Sequence, residues 1–165
     1  MKMKDAISTI ESLTEDPCKG LPEDIFLFVS RITPIVNVDL LIKNEQNQTL
    51  MTWRDDEYYE PGWHIPGGII RFKETFEDRI KMVAKNELGA EVDFDPNPLA
   101  INEVIHPARE TRGHFISLLF KCSLLKPPSE AHRYKLGRPK ANEWKWHSTC
   151  PPDIIAIHEM YKKFI

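Results

Sequence analysis

The sequence predicts an α/β fold of the α+β type, a mixed β-sheet sandwiched between helices, in a single domain over residues 1–165. Three observations carry this. The apolar patterning gives the order ααβββαβββα, which lacks the regular βαβ alternation of a doubly wound sheet. The 13 prolines punctuate elements and do not gather into a linker. A chain of 165 residues, 41% of them hydrophobic, can bury one good core but not two.

Taken in order, Asp5 to Leu13 sets Ile7, Ile10 and Leu13 about a turn apart, and residues 1–20 read as an N-terminal helical extension. Pro22 to Ile32 repeats the helical pattern with Ile25, Phe28, Val29 and Ile32, and Pro34 stops it. Ile35 to Lys43 is a strand with Val36, Val38, Leu40 and Ile42 on one face and Asn37 and Asp39 on the other. Asn44 to Gln48 turns the chain into a returning strand, Thr49 to Arg54. Trp63 to Pro66 is a further short strand ending in Gly67 and Gly68. A helix then starts at Thr75, with Asp78 completing a capping box, and stops at Gly89. At about 100° per residue, Glu87 falls about 20° from Phe76, on the stripe that also holds Ile80, Val83 and Ala84. Strands over Leu99 to Ile105, His114 to Leu125 and Trp144 to His147, and an amphipathic helix over Asp153 to Phe164, complete the chain.

A net charge of −3 supplies no general attraction to nucleic acid or anionic membrane, so an anion site must be local. No apolar window reaches the roughly 18 residues of a membrane span, and the first residues are too polar for a signal peptide, which places the protein in the cytoplasm. Cys18, Cys122 and Cys150 show no CxxC spacing, and the six histidines no HxxxH pair, so neither disulfides nor a zinc site is expected.

Gly62-Trp63-His64-Ile65-Pro66-Gly67-Gly68, followed by Glu74 and by Glu87-Leu88-Gly89-Ala90, resembles the box of the Nudix hydrolases. With Gly68 as its first glycine, Glu74, Glu87 and Gly89 fall in register. Met82, Val83 and Asn86 then replace three charged positions. Keeping only the last helix glutamate is similar to the GDP-mannose mannosyl hydrolase branch, as are Asp24 to Asp39 and Arg54. Ile69 stands where that branch has an arginine. The resemblance implies a homodimer that hydrolyses a nucleoside diphosphate sugar, a GDP-hexose such as GDP-mannose or GDP-glucose, to GDP and free sugar. It also implies one Mg²⁺, or Mn²⁺, held by Glu87 and the carbonyl of Gly67, with Asp39 and His106 lining the sugar or nucleotide end.

The chemistry of the residues is compatible with that reading. A carboxylate on an apolar stripe needs a partner, either a cation or a basic side chain such as Arg79 or Lys85, unless Glu87 lies at an exposed edge. Arg54, Arg71, Arg109, Arg112 and the basic run Lys126 to Lys140 are diphosphate candidates, because guanidinium groups bind phosphate oxygens bidentately. Attack at the anomeric carbon needs a base but no general acid, since the diphosphate leaves as an anion. By resemblance to the branch's base-bearing loop, Pro128 to His132 offers His132; a gap-free alignment from Trp146 offers Glu143 instead. The four tryptophans read as packing. Two other readings stay open: a Nudix pyrophosphatase giving a nucleoside monophosphate and a phosphate ester, and a catalytically silent module that binds nucleotide sugars.

Overall fold

The computed structural model describes residues 2–165. The chain runs through α1 (Met3–Ser12), α2 (Glu23–Ile32), β1 (Ile35–Ile42), β2 (Thr49–Asp56), β3 (Tyr59–His64), β4 (Gly67–Ile69), α3 (Phe76–Val83), β5 (Glu91–Phe94), β6 (Ala100–Ile105), β7 (His114–Lys126) and β8 (Trp144–His147). Strand β1, with the alternation expected of it, is the spine of the larger sheet. It pairs in parallel with β7, Ile35 opposite Phe115 through Ile42 opposite Cys122, and antiparallel with β4 on its other edge. The thirteen residues of β7 serve two partners along their far edge, β6 beside the first half and β5 beside the second. A second, antiparallel sheet runs β3-β2-β8. The architecture is mixed α/β, as the pattern predicts.

From Val38 on, burial follows the alternation, whereas Val36, expected on the same face, is 38% exposed. Val38, Leu40 and Ile42 of β1 meet Ile80, Val83, Ala84 and Leu88 in one cluster, while Leu41 joins Met51, Trp53, Trp63, Ile65 and Tyr161 in a second. Burying one such aliphatic side chain contributes about 1.5 to 3 kcal/mol, so the strand is fixed in register by its own sequence. Among the described residues no helix is long and apolar enough to cross a membrane.

Four features depart from expectation. Helix α3 begins on the predicted cap, Thr75 Oγ1 accepting from the Asp78 N–H at 3.1 Å and Asp78 accepting from the Thr75 N–H at 3.3 Å. Its last turn, Ala84–Leu88, widens to a π-turn before Gly89 stops it at φ +62°. In that wider turn Leu88 continues the buried stripe, and Glu87 sits at its edge with its side chain 24% exposed. The strand expected at Trp63 to Pro66 is only the end of β3; Ile65 and Pro66 lie between β3 and β4, which serve different sheets. Strand β5 was not anticipated; four residues are too few to show a period. The expected C-terminal amphipathic helix is instead a 3₁₀ segment, Ala156–Tyr161. Its inward residues Ile155, His158 and Tyr161 recur every three positions, the repeat that a 3₁₀ turn stacks on one face.

Candidate active site

Where β4 meets β1, the backbones approach too closely for any side chain at Gly67. A Cβ there would lie 2.1 Å from Asp39 Oδ1 and 2.8 Å from the Val38 carbonyl. The floor so formed opens onto a cavity of about 1000 Å³ between β1, β4, the end of α3 and the β2–β3 hairpin.

The two acidic residues of the helical motif divide their tasks. Glu74 accepts from Arg79 Nε at 2.8 Å and Nη2 at 2.7 Å and from the Arg71 N–H at 2.9 Å, in a nearly buried bidentate pair. Arg79 is therefore committed to Glu74 and is not the partner of Glu87. Glu87 reaches the cavity instead, where Oε1 is 3.3 Å from the Gly67 N–H and Oε2 is 3.4 Å from the Thr52 hydroxyl. Both contacts are long, and among the described residues no Lys or Arg lies within ion-pair distance of it. A carboxylate with spare acceptor capacity beside a backbone too close for side chains fits a divalent cation. Among the described residues no three His, Cys, Asp or Glu side chains converge as a ready-made metal cluster, so any ion held here also needs carbonyl, water or substrate oxygens.

Asp39 is buried beneath this floor. Desolvation pushes its carboxyl up to about 6, opposed by the hydroxyl of Tyr161, which donates to Oδ2 at 2.5 Å, by nearby His64 and by Asn37 at 3.1 Å. Tyr161 comes from the C-terminal 3₁₀ segment, as does His158, whose Nδ1 accepts from the Ile65 N–H at 3.0 Å. Burial holds the His158 imidazole well below its usual range, so it is neutral.

At the other end, cations gather on aromatic rings. The guanidinium groups of Arg54 and Arg109 lie 4.6 and 4.5 Å from the centroid of Tyr59, and that of Arg112 lies 4.1 Å from Tyr58. Arg54 also pairs with Asp56 at 2.5 Å, and Arg109 donates to the Tyr58 carbonyl. The backbone N–H of Arg112 bonds Ser30 at 3.0 Å, and its buried Nε has no partner among the described residues.

Of the residues singled out in the sequence, Asp39, Arg54, Gly67, Arg71, Glu87 and Arg112 all line the cavity. Arg109 stands behind Tyr59, and His106 lies 6.5 Å from that ring. His132 and Glu143 are not in the lining. His132 is exposed on the 3₁₀ turn Glu130–His132; Glu143 accepts from the Lys140 N–H at 3.0 Å, although its neighbours Ala141 and Asn142 do reach the cavity. His64, Thr52, His158 and Tyr161 were not anticipated as part of the site. Pairing of Thr52 with His64 across the hairpin was the signal available for two of them.

Comparison with known proteins agrees with this geometry. Residues 33–153 match the model of the NUDIX domain. The low-salt glycan biosynthesis protein Agl8 of Haloferax volcanii is 28% identical over 67% of this chain and 72% of its own length. A MutT NUDIX hydrolase from Burkholderia pseudomallei superposes with a TM-score of 0.60 at 17% identity, covering 81% of this chain and 98% of that one. A NUDIX hydrolase from Nitrosomonas europaea gives 0.54 at 16%, covering 79% and 78%; at such identities these two likenesses concern the fold. Nudix hydrolases act on small nucleotide substrates and generally require divalent cations. With a domain match spanning the glycine pair, α3 and both sheets, the chain belongs to the Nudix hydrolase family.

Proposed function

We propose that the protein hydrolyses a nucleoside diphosphate sugar, a GDP-hexose such as GDP-mannose or GDP-glucose, to the nucleoside diphosphate and free hexose by attack of water at the anomeric carbon. One observation carries this reading: Glu87 is the sole glutamate of the box helix to reach the cavity, Val83 being buried and Met82 and Asn86 carrying no charge. Attack on phosphorus is served by several cations clamping both oxygens, whereas departure of a diphosphate from carbon asks only for charge stabilisation. Glu87 and the Gly67 carbonyl would hold Mg²⁺ or Mn²⁺, which when bound supplies that positive charge to the leaving group.

The chain's own residues supply the remainder. Arg54, Arg71 and Arg112 line the cavity and suit the diphosphate. A volume of about 1000 Å³ accommodates a ligand of nucleotide-sugar size. Asp39, held by Tyr161 and Asn37, presents its carboxyl at the floor to sugar hydroxyls or the attacking water. The proposed bases, His132 and Glu143, stand on residues 130–143, which border the cavity through Ala141 and Asn142, so either acts after that segment closes over bound substrate. The name of the Haloferax relative, a glycan biosynthesis protein, is in keeping with a sugar donor as substrate. The assembly in this reading is a homodimer, for which the exposed Ile7 and Ile10 of α1 and Leu13 just beyond it offer an apolar stripe.

A panel of nucleotide sugars incubated in ¹⁸O-labelled water tests the reaction. Label in released hexose, with nucleoside diphosphate as co-product, is the expected result. Label on phosphate with a nucleoside monophosphate establishes a pyrophosphatase, and absence of turnover across the panel establishes a binding module.

A further inference from the structure

His64 faces Glu87 across the cavity floor. The imidazole Nδ1 lies 2.9 Å from the Thr52 carbonyl oxygen. A carbonyl can only accept, so Nδ1 carries a hydrogen, and Nε2 is the ring atom turned toward Glu87. That Nε2 is 3.6 Å from Glu87 Oε2, beyond hydrogen-bond range, and the two side chains are 13% and 24% exposed. The Thr52 hydroxyl does not fill the gap. It is equidistant, 3.4 Å, from both ring nitrogens and so lies off the lone-pair axis of either, and it donates to Glu87. A ring nitrogen and a carboxylate oxygen thus face each other, without a hydrogen bond between them, in a half-buried place.

Each surrounding group favours a cation between them. A metal-bound histidine characteristically donates its other N–H to a backbone carbonyl, which fixes the tautomer and orients the ring, and the Thr52 carbonyl does this for His64. Donors to one first-row ion sit about 2.0 to 2.2 Å from it, so two of them can be up to about 4.4 Å apart; the separation here falls within that limit. Asp39, in register opposite Gly67, adds negative potential from below. His158, with its ring 5.8 Å from that of His64, accepts from the Ile65 N–H at Nδ1, so its ring holds at most one hydrogen and adds no competing charge. Arg79, which also lines the cavity, is neutralised by Glu74, and Arg54 by Asp56.

We infer that His64 Nε2 is a metal ligand beside Glu87, converting an all-oxygen site into a mixed nitrogen and oxygen centre. Imidazole is a poor donor for Mg²⁺ and a good one for first-row transition ions, so the site selects Mn²⁺ over Mg²⁺. The inference rests on Glu87 as the carboxylate ligand.

The test is Mn²⁺ binding to the metal-free full chain, followed by titration and by pulsed electron paramagnetic resonance. Wild-type protein should show modulation from a directly bound imidazole ¹⁴N, and growth on ¹⁵N-histidine should replace it with the ¹⁵N pattern, which requires no variant. His64→Gln should abolish the modulation and weaken Mn²⁺ binding by on the order of ten- to a hundredfold, with a smaller change for Mg²⁺. Wild-type Mn²⁺ without nitrogen modulation, or modulation that survives in His64→Gln, overturns the inference. Glu87→Gln separates the two layers: unchanged Mn²⁺ affinity in that variant overturns the carboxylate assignment itself, whereas lost affinity without nitrogen modulation in the wild type overturns only the role of His64.

Discussion

Glu87, at the floor of the cavity, and Glu74, which holds Arg79 of the lining, are each held by groups from two or more positions, whereas the ring of His132, on the segment bordering the cavity, has no hydrogen-bond partner among the described residues. The floor combines strand pairing, a capping box and a buried ion pair. Residues 130–143 contain one 3₁₀ turn, left-handed backbone at Gly137 and Asn142, and a Leu136 that is 91% exposed. Charge-binding groups belong on the part that costs no reorganisation when the leaving group departs. A group that must approach only after the substrate has entered belongs on the part that can move.

The strongest test of this division is Glu87→Gln. It keeps the shape and both hydrogen-bonding neighbours while removing the charge, so activity should fall by at least about a hundredfold. Thermal melting should be nearly unchanged, because no Lys or Arg is paired with the carboxylate. Wild-type turnover with unaltered metal dependence would show that the floor does not bind the cation.

His132→Gln addresses the bordering segment. If His132 is the base, kcat should drop by about 10² to 10⁴ with a smaller effect on KM, and the acid limb of the kcat profile should flatten. An unchanged profile together with loss of activity in Glu143→Gln would transfer the role to the carboxylate. Unimpaired turnover in both variants would mean that residues 130–143 form a wall and contribute no base.

The same contrast governs what the sequence discloses. The cap at Thr75, the stop at Gly89 and the alternation in β1 are local signals, and each appears at its place. The edge position of Glu87 was not legible, because a uniform helical period hides the π-turn at Ala84–Leu88. Strand β4 has three residues, two of them glycine, and exists because β1 offers it an edge. His158 and Tyr161 come to the floor through a three-residue repeat that resembles an amphipathic helix until burial is known. His64 stands beside the glycine pair in the sequence, yet its meaning depends on the hairpin register that sets it against Thr52.

Glu74→Gln tests the scaffold of the floor. It leaves the buried guanidinium of Arg79 without its counter-charge, a loss of about 3 to 5 kcal/mol for a buried pair. In a domain of this size that corresponds to a fall in Tm of about 6 to 20 °C. The double variant Glu74→Gln/Arg79→Met should recover part of it, since no unpaired charge remains; a double variant as unstable as the single would show that the lost interaction is not the ion pair.

The smallest effect locates where the bordering segment becomes scaffold again. His147 on β8 is buried, edge-on to Trp63 with centroids 4.6 Å apart, and its Nε2 has no partner among the described residues. Burial pushes its imidazole down to about 4, Lys145 acts in the same direction and Asp153 opposes them. Between that value and the unfolded value of about 6.5, the unfolded chain binds more protons, so this contribution to stability is lost as pH falls through the window. It amounts to no more than about 3 kcal/mol. His158 acts in the same sense. Asp39, pushed up to about 6, acts in the opposite one, because the folded state takes up its proton first. Urea midpoints measured from pH 7 to pH 4 should therefore decline less steeply in His147→Phe than in the wild type, and more steeply in Asp39→Asn. A His147→Phe curve parallel to the wild type would mean that His147 protonates freely in the folded protein.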